Sequence, residues 1–159
     1  MKPLGKPVAP GERIPDLSFE DGSGCLTSLR AKGRQGVVVV LTHGPGCDAC
    51  QRYLAELAAA DAEHREWDGR VIALVPARTG RTGAAPAAAL PFPVLADPER
   101  RTWAALGIEG AAVVIADQWG EVHEVSCAGA GHALPSAEDI TQWLRFLAIR
   151  CPECEGEAL

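Results

Sequence analysis

Cys47 and Cys50 are the residues of this chain whose type and spacing are best suited to chemistry. Thiols at this C-x-x-C spacing exchange electrons by closing a disulfide, supply half of a zinc site, or have a structural role only. The flanking sequence favours the first alternative. Residues 37–41 are continuously apolar and mostly β-branched, which predicts a strand buried on both faces just before the pair.

A helix is predicted directly after the pair, because apolar residues recur at helical spacing from Tyr53 to Ala58. Cys47 is therefore expected at a helix N-terminus, where free N–H groups and the helix dipole stabilise a thiolate. Cys50 lies one turn further on, close enough to form a disulfide with Cys47. Redox chemistry is thus the preferred interpretation of the pair.

Composition narrows the class of protein. At 159 residues, with 47% apolar and 23% charged residues, the chain fits one soluble domain with its own core. The net charge of −6 argues against nucleic acid or an anionic membrane as partner. Neither a signal peptide nor a membrane span is evident, so a cytoplasmic location is expected. Six cysteines in such a chain indicate redox or metal chemistry.

The elements that position the cysteines follow a regular order. The turn-forming residues 21–24 predict an N-terminal β-hairpin. The strand before Cys47, a helix of about 20 residues and a buried strand over 70–75 form a βαβ unit with parallel strands. A loop is predicted over 79–91, and a helix from Asp97 and Pro98 to Gly107.

A second hairpin is predicted over residues 112–116 and 121–126, and Ser136 opens the last helix with a capping box. The apolar stripe of this helix comprises Ile140, Trp143, Leu144, Leu147 and Ala148. Together the elements predict an α/β protein of thioredoxin-like fold, with a central mixed sheet flanked by helices.

The chain resembles the redoxin branch of the thioredoxin superfamily, the peroxiredoxin-like alkyl hydroperoxide reductase/thiol-specific antioxidant proteins. The resemblance rests on residues 11–17, 24–29, the strand entering Cys47, 92–98 and 115–122. It covers about residues 11–148, so the chain is expected to divide into a flexible lead-in over 1–10, a redoxin domain over 11–150 and a tail over 151–159. The resemblance implies an oxidoreductase of the redoxin type. It also implies Cys47 as the nucleophile and Cys50 as the resolving cysteine.

The sequence differs from the family pattern at positions that matter for peroxide reduction. Gly44 stands where peroxiredoxins carry a threonine or serine, and Ala111 or Ala112 stands where they carry an arginine and thioredoxins a cis-proline. Both departures disfavour peroxide reduction. Arg52 and Arg81 are candidate replacements for the arginine, and a redoxin fold that has lost activity is a further alternative.

Several residues are candidate auxiliaries. His43 is either a thiolate partner or a core histidine, and Asp48 is expected to favour the disulfide over the thiolate. The strand that ends at Ser126 should place Cys127 at the sheet edge where Cys47 lies, about 10 Å from the strand that leads to Cys47. With His132, Cys127 is a third redox or metal position, or else a buried thiol. Cys25 is expected in the core.

The tail holds a second C-x-x-C pair, Cys151 and Cys154. The last helix should carry it roughly 20 Å from the active-site edge, which disfavours relay or a shared zinc site with Cys47 and Cys50 in one chain. Relay between subunits or with a partner, a zinc site across a dimer, a regulatory or structural disulfide, and idle thiols remain alternatives.

The sequence therefore predicts a thiol–disulfide oxidoreductase of the redoxin type that cycles Cys47 and Cys50 without a cofactor or metal. A thioredoxin- or glutathione-type donor, or a protein disulfide substrate, is the expected partner, and a homodimer is an alternative to a monomer. A thiol peroxidase with an antioxidant role is the second hypothesis. A metal- or partner-binding module using Cys151 and Cys154 is the third.

Overall fold

The computed structural model describes residues 6–21, 24–30, 33, 35–77, 90–129 and 131–150. Its strands are β1 (Ser18–Glu20), β2 (Leu26–Ser28), β3 (Gly36–Leu41), β4 (Gly69–Val75), β5 (Val94–Ala96), β6 (Ala112–Ala116) and β7 (Val122–Cys127). Its helices are α1 (Asp48–Ala59), α2 (Asp61–Glu66), α3 (Arg101–Leu106) and α4 (Ala137–Ile149). None of the helices within the described ranges is both long and apolar enough to cross a membrane.

The centre of the molecule is a five-stranded mixed sheet of order β5-β4-β3-β6-β7. Strand β3 pairs in parallel with β4 and antiparallel with β6, so it has a hydrogen-bonded neighbour on each side. Strands β1 and β2 form the separate antiparallel hairpin that the sequence predicts. The thioredoxin-like α/β fold with a central mixed sheet is thereby confirmed.

Both faces of β3 are covered, as its unbroken apolar run predicts. Val37, Val39 and Leu41 pack on the face that also receives Trp103 of α3. Val38 and Val40 pack on the opposite face, against apolar side chains of α1 and α4. Since side chains alternate along a strand, five consecutive apolar residues can serve two cores at once.

Two helix predictions need correction. The single helix of about 20 residues is two helices, because Ala60 leaves the helical conformation at φ −100° and ψ 4°. Helix α3 begins at Arg101 rather than after Asp97, since Arg100 takes a left-handed conformation at φ 55°. The Asp97 carboxylate still accepts bonds from the N–H groups of Arg101 and Thr102, at 3.0 and 2.8 Å.

Helix α4 follows its prediction closely. Ser136 and Asp139 form the expected capping box. Ile140 and Leu144 are buried, and Trp143 and Leu147 pack partly against the same core. Ala148 is exposed, so its inclusion in the buried stripe is wrong.

Cys25 is exposed, and its prediction as a core residue is wrong. It precedes β2 in the two-stranded hairpin and is not part of the five-stranded sheet that carries both cores. Arg81, Cys151 and Cys154, and nearly all of the loop predicted over 79–91, lie outside the described residues. The predictions made for them remain predictions.

Candidate active site

Cys47 is the N-cap residue of α1, at the junction that the sequence predicts. Its backbone is extended, with φ −91° and ψ 107°, and its Sγ accepts a hydrogen bond of 3.4 Å from the Cys50 N–H group. The side chain is half-buried. A sulfur at this position faces free N–H groups and the positive end of the helix dipole, which favour negative charge on it.

Cys50 lies in the first turn of α1 and is 1% exposed. Its Sγ accepts a hydrogen bond of 3.3 Å from the His43 N–H group. The pKa of the Cys50 thiol is raised to about 11, chiefly by burial; the His43 N–H group lowers it and Cys47 raises it. Cys50 therefore remains a protonated thiol at neutral pH.

His43 follows β3 and is exposed at the site rather than enclosed in a core. Its Nδ1 lies 3.6 Å from the Sγ of Cys47 and 3.6 Å from the Sγ of Cys50. Its Nε2 faces Gly110, where an added Cβ would lie 3.4 Å from that nitrogen. Of its two predicted roles, the geometry supports contact with the thiols.

His132 is the site residue that the sequence interpretation paired with the wrong cysteine. Its Nε2 lies 3.1 Å from the Sγ of Cys50, although 82 residues separate the two in the chain. Its ring meets that of His43 edge-on, with centroids 5.1 Å apart. A tight turn places it: the His132 N–H donates to the Gly129 carbonyl at 3.1 Å, and His132 itself adopts φ 57°.

Cys127 occupies the predicted edge but not the site itself. It pairs with Ala112, which pairs with Leu41 at the end of β3, so it lies two strands from the strand that leads to Cys47. It is exposed, so the alternative of a buried thiol is wrong. The close group contains His43, Cys47, Cys50 and His132, whose sulfur and nitrogen atoms all lie within 4.8 Å of one another.

The other predicted auxiliaries surround this group. Asp48 is exposed in the first turn of α1. Arg52 is also exposed, and with Tyr53, Glu56 and His132 it lines a cleft of about 300 Å³. This cleft lies between α1 and the segment after β7, and His132 belongs both to its lining and to the close group.

The structure also describes the positions at which this chain differs from peroxiredoxins. Gly44 adopts φ 141°, a conformation that residues with a side chain seldom take. Ala111 and Ala112 are buried. No cis peptide bond occurs in the described part of the chain. Cys47 thus receives neither a hydroxyl group from position 44 nor a guanidinium group from positions 111 and 112.

A second polar cluster lies at the other ends of the strands, away from Cys47. His123 Nε2 lies 2.8 Å from Asp117 Oδ2 and 3.4 Å from Glu121 Oε2. Arg150 Nη1 lies 2.8 Å from the same His123 nitrogen. Ala116, next to Asp117, pairs with Val37 at the start of β3, far along the strand from Cys47.

A family model supports the resemblance seen in the sequence: that of the AhpC/TSA family matches residues 10–135. The chain belongs to the AhpC/TSA family. Members of this family are oxidoreductases, acting either as thiol–disulfide oxidoreductases or as peroxidases, and this chain is an oxidoreductase of the redoxin type. No curated protein matches the chain at a significant level.

Solved structures share the fold of this AhpC/TSA protein. AhpC from Mycobacterium bovis superposes with a TM-score of 0.72 at 17% identity, over 93% of this chain and 98% of that chain. A protein assigned as thiol:disulfide interchange protein DsbE, from Chlorobium tepidum, gives 0.71 at 17% identity, over 89% and 97%. StoA from Bacillus subtilis gives 0.65 at 15% identity, over 82% and 96%. At these identities the likeness establishes the fold.

Proposed function

We propose that this AhpC/TSA protein is a thiol–disulfide oxidoreductase in which Cys47 attacks a substrate disulfide and Cys50 resolves the product. The observation that carries the proposal is the asymmetry of the two thiols. Cys47 is half-buried at the helix N-cap, whereas Cys50 is 1% exposed behind it. The Cys47 sulfur is accessible to a substrate, whereas the Cys50 sulfur is accessible mainly to the Cys47 sulfur.

The first step is attack by the Cys47 thiolate on one sulfur of the substrate disulfide. The substrate S–S bond breaks, a mixed disulfide with Cys47 forms, and one substrate thiolate leaves. The N–H group of Cys50, 3.4 Å from the Cys47 sulfur, stabilises the thiolate before attack. His43 Nδ1, 3.6 Å away, is a second donor when protonated.

The second step needs the Cys50 proton to be removed, because burial keeps this thiol protonated at neutral pH. His132 Nε2, at 3.1 Å, is positioned to accept that proton. The Cys50 sulfur then attacks the Cys47 sulfur and releases the second substrate thiolate. The Cys47–Cys50 disulfide forms, and the substrate has gained two electrons.

Completing the cycle requires an external thiol. A thioredoxin- or glutathione-type donor would return two electrons to the Cys47–Cys50 disulfide. Such donors keep dithiols reduced in the cytoplasm, and the proposal places the protein there. Family membership supports the use of a thiol reductant.

Hydroperoxide reduction by the same pair, with an antioxidant role, is the second candidate. Family membership supports it, since the family is named for alkyl hydroperoxide reductase. Gly44, Ala111 and Ala112 oppose it, because they leave the Cys47 sulfur without the hydroxyl and guanidinium groups that peroxiredoxins use at those positions.

The test uses the full chain with Cys151→Ser and Cys154→Ser, so that only the first pair can cycle. Thiol labelling across a graded redox buffer should show a two-electron transition below about −200 mV, in the range of reducing dithiols. Turnover of a model disulfide should exceed turnover of a hydroperoxide and should vanish in Cys47→Ser.

Cys127→Ser is the matched control, since it removes an exposed thiol at the same edge but outside the close group. It should retain turnover. Oxidation that never joins Cys47 to Cys50 would contradict the proposal. Faster turnover of the hydroperoxide would replace it with the peroxidase.

A further inference from the structure

The four close side chains of the site also form a donor set suited to a metal ion. Two thiols and two imidazoles converge: the Sγ atoms of Cys47 and Cys50, Nδ1 of His43 and Nε2 of His132. These four atoms all lie within 4.8 Å of one another. Disulfide exchange uses one imidazole beside each sulfur, but it does not require all four donor atoms to converge on one point.

The distances from His43 to the two sulfurs match those of a tetrahedral zinc site. With Zn–S bonds of about 2.3 Å and Zn–N bonds of about 2.05 Å, tetrahedral angles separate sulfur and nitrogen ligands by about 3.5–3.6 Å. His43 Nδ1 lies 3.6 Å from both sulfurs. His132 Nε2 is closer to the Cys50 sulfur, at 3.1 Å, and this pair would separate by about 0.4–0.5 Å around the ion.

We propose that the reduced protein binds one Zn²⁺ ion through His43, Cys47, Cys50 and His132. The S₂N₂ donor set suits zinc, and two thiolates neutralise its charge. The proposal uses the two sulfurs of the proposed function but does not require turnover. It also revises the expectation that the cysteine pair acts without a metal.

The protein supplies all four ligands, so the ion has no open position for water or a substrate carbonyl. Zinc at this site therefore keeps the two thiols coordinated and does not catalyse hydrolysis. While Cys47 coordinates the ion, its thiolate charge is shared with zinc, so it attacks a disulfide more slowly than the free thiolate does. Zinc and a substrate disulfide thus compete for the same sulfur atom.

Oxidation would release the ion. When a low-molecular-weight disulfide reacts with the zinc form, the two thiolates lose two electrons and the Cys47–Cys50 bond forms. The reagent S–S bond breaks into two thiolates, and Zn²⁺ leaves because both of its sulfur ligands are gone. The site would then be a redox-controlled zinc store within an AhpC/TSA fold.

The test is a titration of the reduced, metal-free full chain carrying Cys151→Ser and Cys154→Ser with Zn²⁺ alone, in competition with a chromogenic chelator. One equivalent should bind. His132→Ala and His43→Ala should each weaken binding at least about tenfold, since even partners behind the ligands contribute 10- to 100-fold in such sites. Co²⁺ should give thiolate-to-metal charge-transfer bands and tetrahedral ligand-field bands.

His123→Ala is the matched control, because His123 is another half-buried histidine and belongs to the separate group with Asp117 and Glu121. It should leave the zinc affinity unchanged. Weaker binding in His123→Ala but not in His132→Ala would place the ion in that other group and overturn the assignment. Absence of binding, or octahedral cobalt spectra, would also overturn it.

The two proposals fail separately. Mass spectrometry of the oxidised, metal-free protein reports the Cys47–Cys50 disulfide whether or not zinc binds. A protein that forms this disulfide but binds no zinc retains the oxidoreductase proposal only. A protein that binds zinc but never joins the two sulfurs retains the zinc site only.

Discussion

The hydroxyl group of Tyr53 donates a hydrogen bond of 2.7 Å to the backbone carbonyl of Pro135, 82 residues further along the chain. Tyr53 lies on α1, three residues after Cys50, and Pro135 lies three residues after His132. Burial raises the pKa of Tyr53 well above its usual value, so the phenol remains a donor. This bond fastens the segment carrying His132 to the helix carrying Cys50.

Tyr53→Phe should therefore affect both stability and the site. Loss of the bond should lower the free energy of unfolding by about 1 kcal/mol, and zinc affinity should fall because His132 is held less firmly. Chemical denaturation and zinc competition measure the two effects. Thr141→Val removes a hydroxyl bond within α4 and should reduce stability alone. Unchanged zinc affinity in Tyr53→Phe would show that the loop is held by other contacts.

Cys50 should impose a pH dependence on stability. Its pKa is raised from 9.0 to about 11 in the folded protein. The folded protein therefore keeps the Cys50 proton to a higher pH than the unfolded chain does. This contribution is complete below pH 9 and is lost as pH rises towards about 11. Urea denaturation across that window should show it.

Cys50→Ala should remove that part of the pH dependence, whereas Cys127→Ala, at an exposed thiol, should retain it. At neutral pH, alkylation of the reduced protein should modify Cys47 and spare Cys50. Rapid modification of Cys50 in the folded protein would contradict its burial as a protonated thiol.

The position of Cys47 could be predicted because it depends on neighbours in sequence. The apolar run of β3 and the helical spacing after Cys50 together place a thiol at a helix N-terminus. The hairpins and the capping box of Ser136 are equally local and were equally predictable.

His132 could not be assigned to Cys50 in this way. Their contact spans 82 residues and depends on the left-handed turn after β7 and on the docking of that segment against α1. The glycines around His132 indicate a tight turn but not its direction. Ala60 and Arg100 likewise interrupt predicted helices through backbone angles for which their residue types give no signal.

Gly44→Thr should not turn the protein into a peroxidase. It restores the peroxiredoxin residue type, but the φ of 141° disfavours any side chain there, and stability should fall by about 1–3 kcal/mol. Hydroperoxide turnover should not rise. Gly46→Thr, at an exposed glycine where an added Cβ meets nothing within 4 Å, should cost much less. A stable Gly44→Thr variant with fast peroxide turnover would contradict this explanation.

His132 stores backbone strain, which a pair of variants can measure. Because its φ is 57°, His132→Gly should be more stable than His132→Ala by about 1 kcal/mol, although both lose the imidazole. At His123, within strand β7, the order should reverse, since glycine weakens a strand. Thermal denaturation of the four variants supplies the comparison. Equal stability of the two His132 variants would mean that the left-handed turn is not maintained in solution.

The central place of β3 in the sheet has a consequence for the timing of events at the site. His43, Cys47 and Cys50 follow a strand paired on both sides, so their geometry is preorganised before any substrate arrives. His132 enters on a segment after the outermost strand. Opening of that segment would leave the dithiol poised for attack while removing one imidazole. Loss of that imidazole would weaken the hold on the ion and also withdraw the base beside Cys50, so a single contact serves both proposals.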